Sequence, residues 1–129
     1  MQMKDFSAHG FLRVAAVTPQ VSIGDPHSNA QNILSQIKLL AEQQVAVAVL
    51  PELSLSGYSA EDLFFTDKLL ADCRLALATL AQQQTLPLCA VGLPWRLPDG
   101  RLLNCAALLG GGKLLGMVPK SVQPNYGEF

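Results

Sequence analysis

The chain has 129 residues and a mass of 13.8 kDa, which is the size of one ordinary domain. Half of its residues are hydrophobic, 15% are charged and the mean hydropathy is +0.28, so a sizeable core can form and a disordered chain is excluded. The formal charge is −1 and the basic residues are not clustered, which argues against nucleic acid as a partner.

The sequence carries no signal for a membrane or for secretion. Its longest apolar run, residues 45–50, is much shorter than the roughly 20 residues that a membrane span needs. The first ten residues contain Lys, Asp and His where a signal peptide has its apolar segment. We therefore expect a cytoplasmic protein with no membrane partner.

Three cysteines, Cys73, Cys89 and Cys105, lie within apolar stretches and have no neighbour at the spacing of a metal site. An odd number of such residues favours reduced thiols in the core over disulfides or a zinc site. We accordingly predict no metal site in this chain.

The first half of the chain has the pattern strand, helix, strand. Residues 11–18 are apolar and predict a buried strand, and Asp25 and Pro26 then provide the start of a helix. Residues 45–50 predict a second strand, covered on both faces because the run is continuously apolar. This order indicates parallel strands joined by a right-handed crossover. The apolar face of the helix comprises Ala30, Ile33, Leu34, Ile37, Leu40 and Ala41.

Residues 51–65 mix Pro, Ser and Gly, and we interpret them as a loop with a short helix capped by Ser59 and Asp62. A second long helix is predicted to start at Thr66 or Asp67 and to end at residues 82–84. Its apolar face comprises Leu69, Leu70, Cys73, Leu77, Leu80 and Ala81.

Three short apolar runs follow, over residues 88–93, 101–109 and 113–118, separated by turn signals at residues 98–100 and 110–112. They predict antiparallel hairpins. The glycines before Lys113 lack the spacing of a phosphate-binding loop, so a hairpin turn explains them better. The fold class is therefore α/β, a mixed sheet with helices on one face in a single domain.

Glu52 and Lys120 are the strongest candidates for chemistry, since each follows a proline at the carboxyl end of a predicted strand. Ligands of helix-covered sheets bind beyond these strand ends, so an acid and a base placed there can face one cleft. The carboxylate would then act as a general base beside the ammonium. A structural salt bridge at the rim of the sheet is the alternative.

Two segments carry a family resemblance. Residues 50–58, LPELSLSGY, resemble the first catalytic block of the nitrilase, or carbon–nitrogen hydrolase, superfamily, and residues 116–129, GMVPKSVQPNYGEF, resemble its lysine block. The ending PNYGEF is similar to one branch, the glutaminase domains of glutamine-dependent NAD synthetases. The resemblance implies an α-β-β-α sandwich, incomplete in this chain, with residues 1–129 as the N-terminal part of such a domain.

The resemblance also implies a Cys–Glu–Lys triad that hydrolyses glutamine and supplies ammonia for NAD synthesis from deamido-NAD. In it Glu52 takes the thiol proton and Lys120 holds the oxyanion. Tyr126, Phe129 and Tyr58 would contact the substrate. By the same resemblance Glu128 would orient the lysine.

The resemblance implies that the triad's cysteine lies beyond residue 129, since in this family it follows the lysine block. The three cysteines present are predicted to lie in the core and so do not replace it. The chain alone is therefore expected to be inactive. The resemblance further implies that ATP and Mg²⁺ serve a synthetase domain absent from these residues, so no cofactor is expected in this chain. It also implies that the full protein forms a homo-oligomer. Two alternatives stay open: another amidase or nitrilase substrate, or an inactive truncated domain that acts only by association.

Overall fold

The computed structural model describes residues 10–57 and 66–120. They form one five-stranded sheet and two helices, and the strand order is sequential. β1 and β2 are parallel, as are β2 and β3, whereas β4 is antiparallel to both β3 and β5. The predicted mixed sheet is confirmed. The elements are β1 (Val14–Ala16), α1 (Pro26–Glu42), β2 (Val47–Val49), α2 (Asp67–Gln83), β3 (Leu88–Arg96), β4 (Leu102–Gly110) and β5 (Lys113–Pro119).

Both helices begin where their capping residues predict. The Asp25 side chain accepts a hydrogen bond from the backbone N–H of Ser28 at 3.1 Å, and this bond lowers the pKa of Asp25. The Thr66 hydroxyl accepts one from the N–H of Leu69 at 3.3 Å. Within the described residues, neither helix has the length and apolar character that crossing a membrane requires.

The helices pack together on one face of the sheet, as predicted. Their apolar faces share one core with Ala48, Cys89 and Val91, which alternate along β2 and β3 and are fully buried. All six predicted face residues of α2 are buried. On α1, three of the six predicted face residues are buried, and the other three pack partly buried against the same core.

The opposite face of the sheet, which we call the open face, corrects one prediction. Residues 45–50 were expected to be covered on both sides, but Val49 is 50% exposed because both helices pack on the other side. Val14 and Val118 are exposed to a similar degree. A continuous apolar run therefore indicates a strand here without indicating that both of its faces are covered.

The strand ends also differ from expectation. β1 and β2 each have three residues instead of eight and six, since their parallel pairing extends over only three positions. β3 instead continues to Arg96, because β4 pairs with it along its length.

Gly111 and Gly112 both have positive φ and form the two-residue turn between β4 and β5, so Gly110 belongs to the strand. The predicted short helix with Ser59 and Asp62 lies outside the described residues.

A buried amide fastens the end of α2 to the sheet. Gln84 is 4% exposed, and its Nε2 donates to the carbonyls of Leu86 at 3.0 Å and Leu109 at 3.2 Å. Its Oε1 accepts from the N–H of Leu86 at 2.9 Å. The side chain therefore satisfies backbone groups of two segments that would otherwise be buried without partners.

We expect Gln84→Ala to lower the free energy of unfolding by about 1–3 kcal/mol, because it leaves these buried backbone groups unpaired. Gln83→Ala is the matched control, since Gln83 is exposed and its loss should change stability by less than about 0.5 kcal/mol. Urea unfolding of both variants measures the difference. Equal stability of the two variants would contradict the role given to Gln84.

Candidate functional site

Glu52 and Lys120 meet, although their strands are not neighbours. Glu52 follows β2 and Lys120 follows β5, and two other strands lie between them. Three strand spacings amount to about 14 Å. Lys120 Nζ nevertheless lies 2.8 Å from Glu52 Oε1. The turn after β2 must therefore carry Glu52 across β3.

That turn, residues 51–57, crosses β3 at Gly92. The N–H of Leu55 donates to the Gly92 carbonyl at 3.0 Å, and the N–H of Gly92 donates to Ser54 Oγ at 3.2 Å. A Cβ atom at position 92 would lie 2.7 Å from the Pro51 carbonyl oxygen and would collide with the backbone nitrogen of Leu53. The crossing is thus possible because residue 92 has no side chain.

The turn is also held by the burial of its Leu53 side chain in the core and by a hydrogen bond from α1. Leu53 has a φ of +54°, a conformation that is uncommon for leucine, while its side chain is buried in the core. Asn29 of α1 is buried, and its Nδ2 donates to the Leu55 carbonyl at 2.8 Å. The strained backbone persists because packing and hydrogen bonds fix the residues around it.

Asn104, on β4, contacts both candidate residues. Its Nδ2 donates to Glu52 Oε1 at 2.5 Å, and its carbonyl accepts from the backbone N–H of Lys120 at 2.8 Å. Asn104 is 4% exposed, whereas the side chains of Glu52 and Lys120 are each 35% exposed. Asn104 was not among the site residues predicted from the sequence. The sequence feature that could have identified it is a single amide side chain within the otherwise apolar run of residues 102–109.

The three polar groups line a depression of about 460 Å³. Its apolar part is formed by Val49, Ala90, Ala106 and Val118, which the strand register places together on the open face. A carboxylate can accept a proton there, and the ammonium can stabilise negative charge on a bound molecule. The pairing therefore fits acid–base chemistry on a small ligand as well as a structural ion pair.

The other predicted site residues, Tyr58, Tyr126, Glu128 and Phe129, lie outside the described residues, so their roles stay predictions. Within residues 10–57 and 66–120, no group of three or more His, Cys, Asp and Glu side chains is arranged to hold a metal ion.

The three cysteines are free and buried, as predicted. Burial raises the pKa of Cys73 and of Cys89 to about 12, and it also raises the pKa of Cys105. At neutral pH these thiols are therefore protonated and are poor nucleophiles. Cys105 lines the depression, but burial raises the pKa of its thiol, which disfavours the reactive thiolate.

We expect Gly92→Ala to destabilise the protein by about 1–3 kcal/mol, because the new Cβ displaces the turn that carries Glu52. Gly116→Ala on β5 is the control, since a Cβ there meets no atom within 4 Å. Thermal unfolding compares the two. A Gly92→Ala protein as stable as the Gly116→Ala protein would show that the turn does not need this glycine.

We expect a thiol reagent to leave Cys73 and Cys89 unmodified at pH 8 in the folded protein and to modify both in denaturant. The reason is that a pKa of about 12 leaves very little thiolate at that pH, and burial blocks access. Mass spectrometry after a timed reaction measures the labelling. Rapid modification of either residue without denaturant would contradict the assignment to the core.

Comparison with known proteins identifies the family. The family model described as carbon-nitrogen hydrolase matches residues 13–123. A glutamine-dependent NAD(+) synthetase of Mycobacterium tuberculosis is 44% identical over 123 residues, which cover 94% of this chain and 18% of that protein. The corresponding protein of Aquifex aeolicus is 36% identical over 110 residues, covering 84% of this chain and 19% of that protein. The chain thus spans about a fifth of the length of these relatives.

Comparison with solved structures supports the same family. A glutamine-dependent NAD(+) synthetase from Cytophaga hutchinsonii matches with a TM-score of 0.83 and 30% identity, covering 88% of this chain and 20% of that one. An amidase from Nesterenkonia sp. matches with a TM-score of 0.74 over 89% of this chain and 44% of that one, and at 21% identity it shows the shared fold. The nitrilase-type α/β fold is therefore confirmed, as part of a larger domain. With residues 13–123 covered by the family model, the chain belongs to the carbon-nitrogen hydrolase family.

Proposed function

We propose that this chain supplies the glutamate and the lysine of an active site that hydrolyses the side-chain amide of glutamine, and that the ammonia serves NAD synthesis from deamido-NAD. The observation that carries the proposal is the 2.8 Å contact between Lys120 Nζ and Glu52 Oε1 beside an apolar depression. The choice of glutamine is supported by the relatives, which are named as glutamine-dependent NAD(+) synthetases.

Glu52 acts as the general base and then as the general acid. Its carboxylate takes the proton of the attacking thiol, and the resulting thiolate bonds to the amide carbon of glutamine. When the tetrahedral intermediate collapses, Glu52 returns the proton to the leaving nitrogen, which departs as ammonia. The same carboxylate then takes a proton from the water that cleaves the thioester, and it returns this proton to the leaving thiolate as glutamate is released.

Lys120 stabilises the charge that develops during this reaction. Lys120 Nζ donates to Glu52 Oε1 at 2.8 Å, and Lys120 lines the depression. The ammonium donates to the oxyanion of the tetrahedral intermediate, where a fixed charge lowers the barrier because it needs no reorganisation. The 35% exposure of both side chains leaves them accessible to a substrate in the depression.

The attacking thiol comes from a residue outside residues 1–129. Two observations support this part of the proposal. Cys73, Cys89 and Cys105 are buried with raised pKa values, and the chain spans about a fifth of its relatives' length. The isolated chain would accordingly lack hydrolase activity.

Four further residues, all outside the described ranges, complete the proposed site. Tyr126 binds the glutamine substrate, Phe129 and Tyr58 form pocket walls, and Glu128 orients Lys120. ATP and Mg²⁺ belong to a synthetase domain, and the described residues do not fit them. Gly111 and Gly112 form a hairpin turn, and no described cluster of carboxylates could hold the metal ion.

A second candidate is hydrolysis of another amide by the same groups. The match in fold to the Nesterenkonia amidase favours it, because the same arrangement of strands supports an enzyme named only as an amidase. Assaying a simple aliphatic amide beside glutamine separates the two candidates. A higher kcat/KM for the aliphatic amide would favour the second.

In the full-length protein that carries this chain, we expect Glu52→Gln and Lys120→Met each to reduce glutamine hydrolysis by at least about 100-fold, because proton transfer and oxyanion stabilisation are each worth that much. Ammonia release from glutamine measures the activity. Glu42→Gln and Lys113→Met, which change exposed charges, are the matched controls and should retain activity. Near-normal hydrolysis by Glu52→Gln would rule out the proposed base.

A further inference from the structure

We propose that Asn104 is a positioning residue that fixes one oxygen of the Glu52 carboxylate, so that the other oxygen, Oε2, carries the proton during the reaction. This inference rests on the proposed function for its kinetic test. The contacts that support it belong to β4 and to the segments that follow β2 and β5.

Asn104 is the point at which the two candidate residues are joined. Its side chain bonds Glu52 at 2.5 Å, while its main chain bonds the backbone N–H of Lys120 at 2.8 Å. Asn104 is 4% exposed and pairs with Pro94 of β3, so the strand register defines its position. Asn104 thus positions the Glu52 carboxylate relative to the backbone of Lys120.

The two oxygens of Glu52 have different surroundings. Oε1 accepts from Asn104 Nδ2 and from Lys120 Nζ, whereas Oε2 accepts no hydrogen bond from the described residues. Two N–H donors occupy the lone-pair directions of Oε1, which makes that oxygen the poorer proton acceptor. Proton transfer therefore occurs at Oε2, and Asn104 prevents the carboxylate from rotating to exchange the two oxygens.

The charges around the carboxylate are few, which makes a pH test interpretable. Of the described residues that line the depression, the titratable ones are Glu52 itself after β2, Cys105 on β4 and Lys120 after β5, and those from β3 have no titratable group. The amide of Asn104 adds no charge. Replacing it by a carboxylate therefore introduces a single new charge at hydrogen-bond distance from Glu52.

The test compares Asn104→Asp and Asn104→Leu in the full-length protein through the pH dependence of glutamine hydrolysis. Asn104→Leu removes the donor at similar size, and we expect kcat to fall by about 10- to 100-fold with little change in KM. Asn104→Asp forces two carboxylates to share a proton, so the acid limb of its kcat profile should move up by about one pH unit or more.

Gln84→Glu is the matched control, because Gln84 is also a buried amide whose side-chain nitrogen donates to carbonyls, but it bonds Leu86 and Leu109 and contacts neither Glu52 nor its turn. It should lower the melting temperature without moving the acid limb. If all the variants keep the wild-type acid limb and lose activity only in proportion to their unfolded fraction, Asn104 is merely structural and the inference is overturned.

A second readout does not depend on activity. The carboxyl carbon of Glu52, labelled with carbon-13, reports its ionisation by NMR across the pH range. We expect Asn104→Asp to require a higher pH than the wild type for full ionisation of Glu52. An unchanged curve would overturn the inference. A wild-type protein that releases no ammonia from glutamine would instead overturn the proposed function, and the NMR curves would still decide the role of Asn104.

Discussion

The site depends on the close approach of the turn at residues 51–57 to the backbone of β3. Glu52 follows the second strand of the sheet and its partner Lys120 follows the fifth, so the carboxylate reaches the ammonium only because the chain crosses β3 at Gly92. That crossing needs a residue without a side chain, and the positive φ of Leu53 follows from the tight path. The close approach of this turn to Gly92 thus brings the residues that follow two separate strands into contact.

Three buried amides give this arrangement its rigidity. Asn29 ties α1 to the turn, Gln84 ties the end of α2 to the sheet, and Asn104 joins Glu52 to Lys120. Each bonds main-chain or charged groups that would cost free energy if they were buried unpaired. Because such bonds are directional, they specify positions that apolar packing alone would leave adjustable. Hydrogen bonds therefore position the residues of the site, while apolar packing stabilises the sheet and the helices that carry them.

Much of this structure could be predicted from local pattern. Helix caps and apolar spacing located α1 and α2, turn residues located the hairpins, and the proline-linked strand ends singled out Glu52 and Lys120. Gly92 and Asn104 were missed because their importance arises from register between segments distant in the chain. The exposure of Val49 was missed for a related reason, since composition shows which residues are apolar but not what packs on them.

The sequential strand order has a consequence for the way the molecule folds. β3, β4 and β5 are joined by short turns, and isolated hairpins close within about 1–10 μs. The contact between Glu52 and Lys120 instead spans 68 positions of the chain, and closing so long a loop is slower. We therefore expect Asn104 and Lys120 to be in place before Glu52 arrives. The antiparallel pairing of β3, β4 and β5 is thus expected to form before the carboxylate reaches the ammonium.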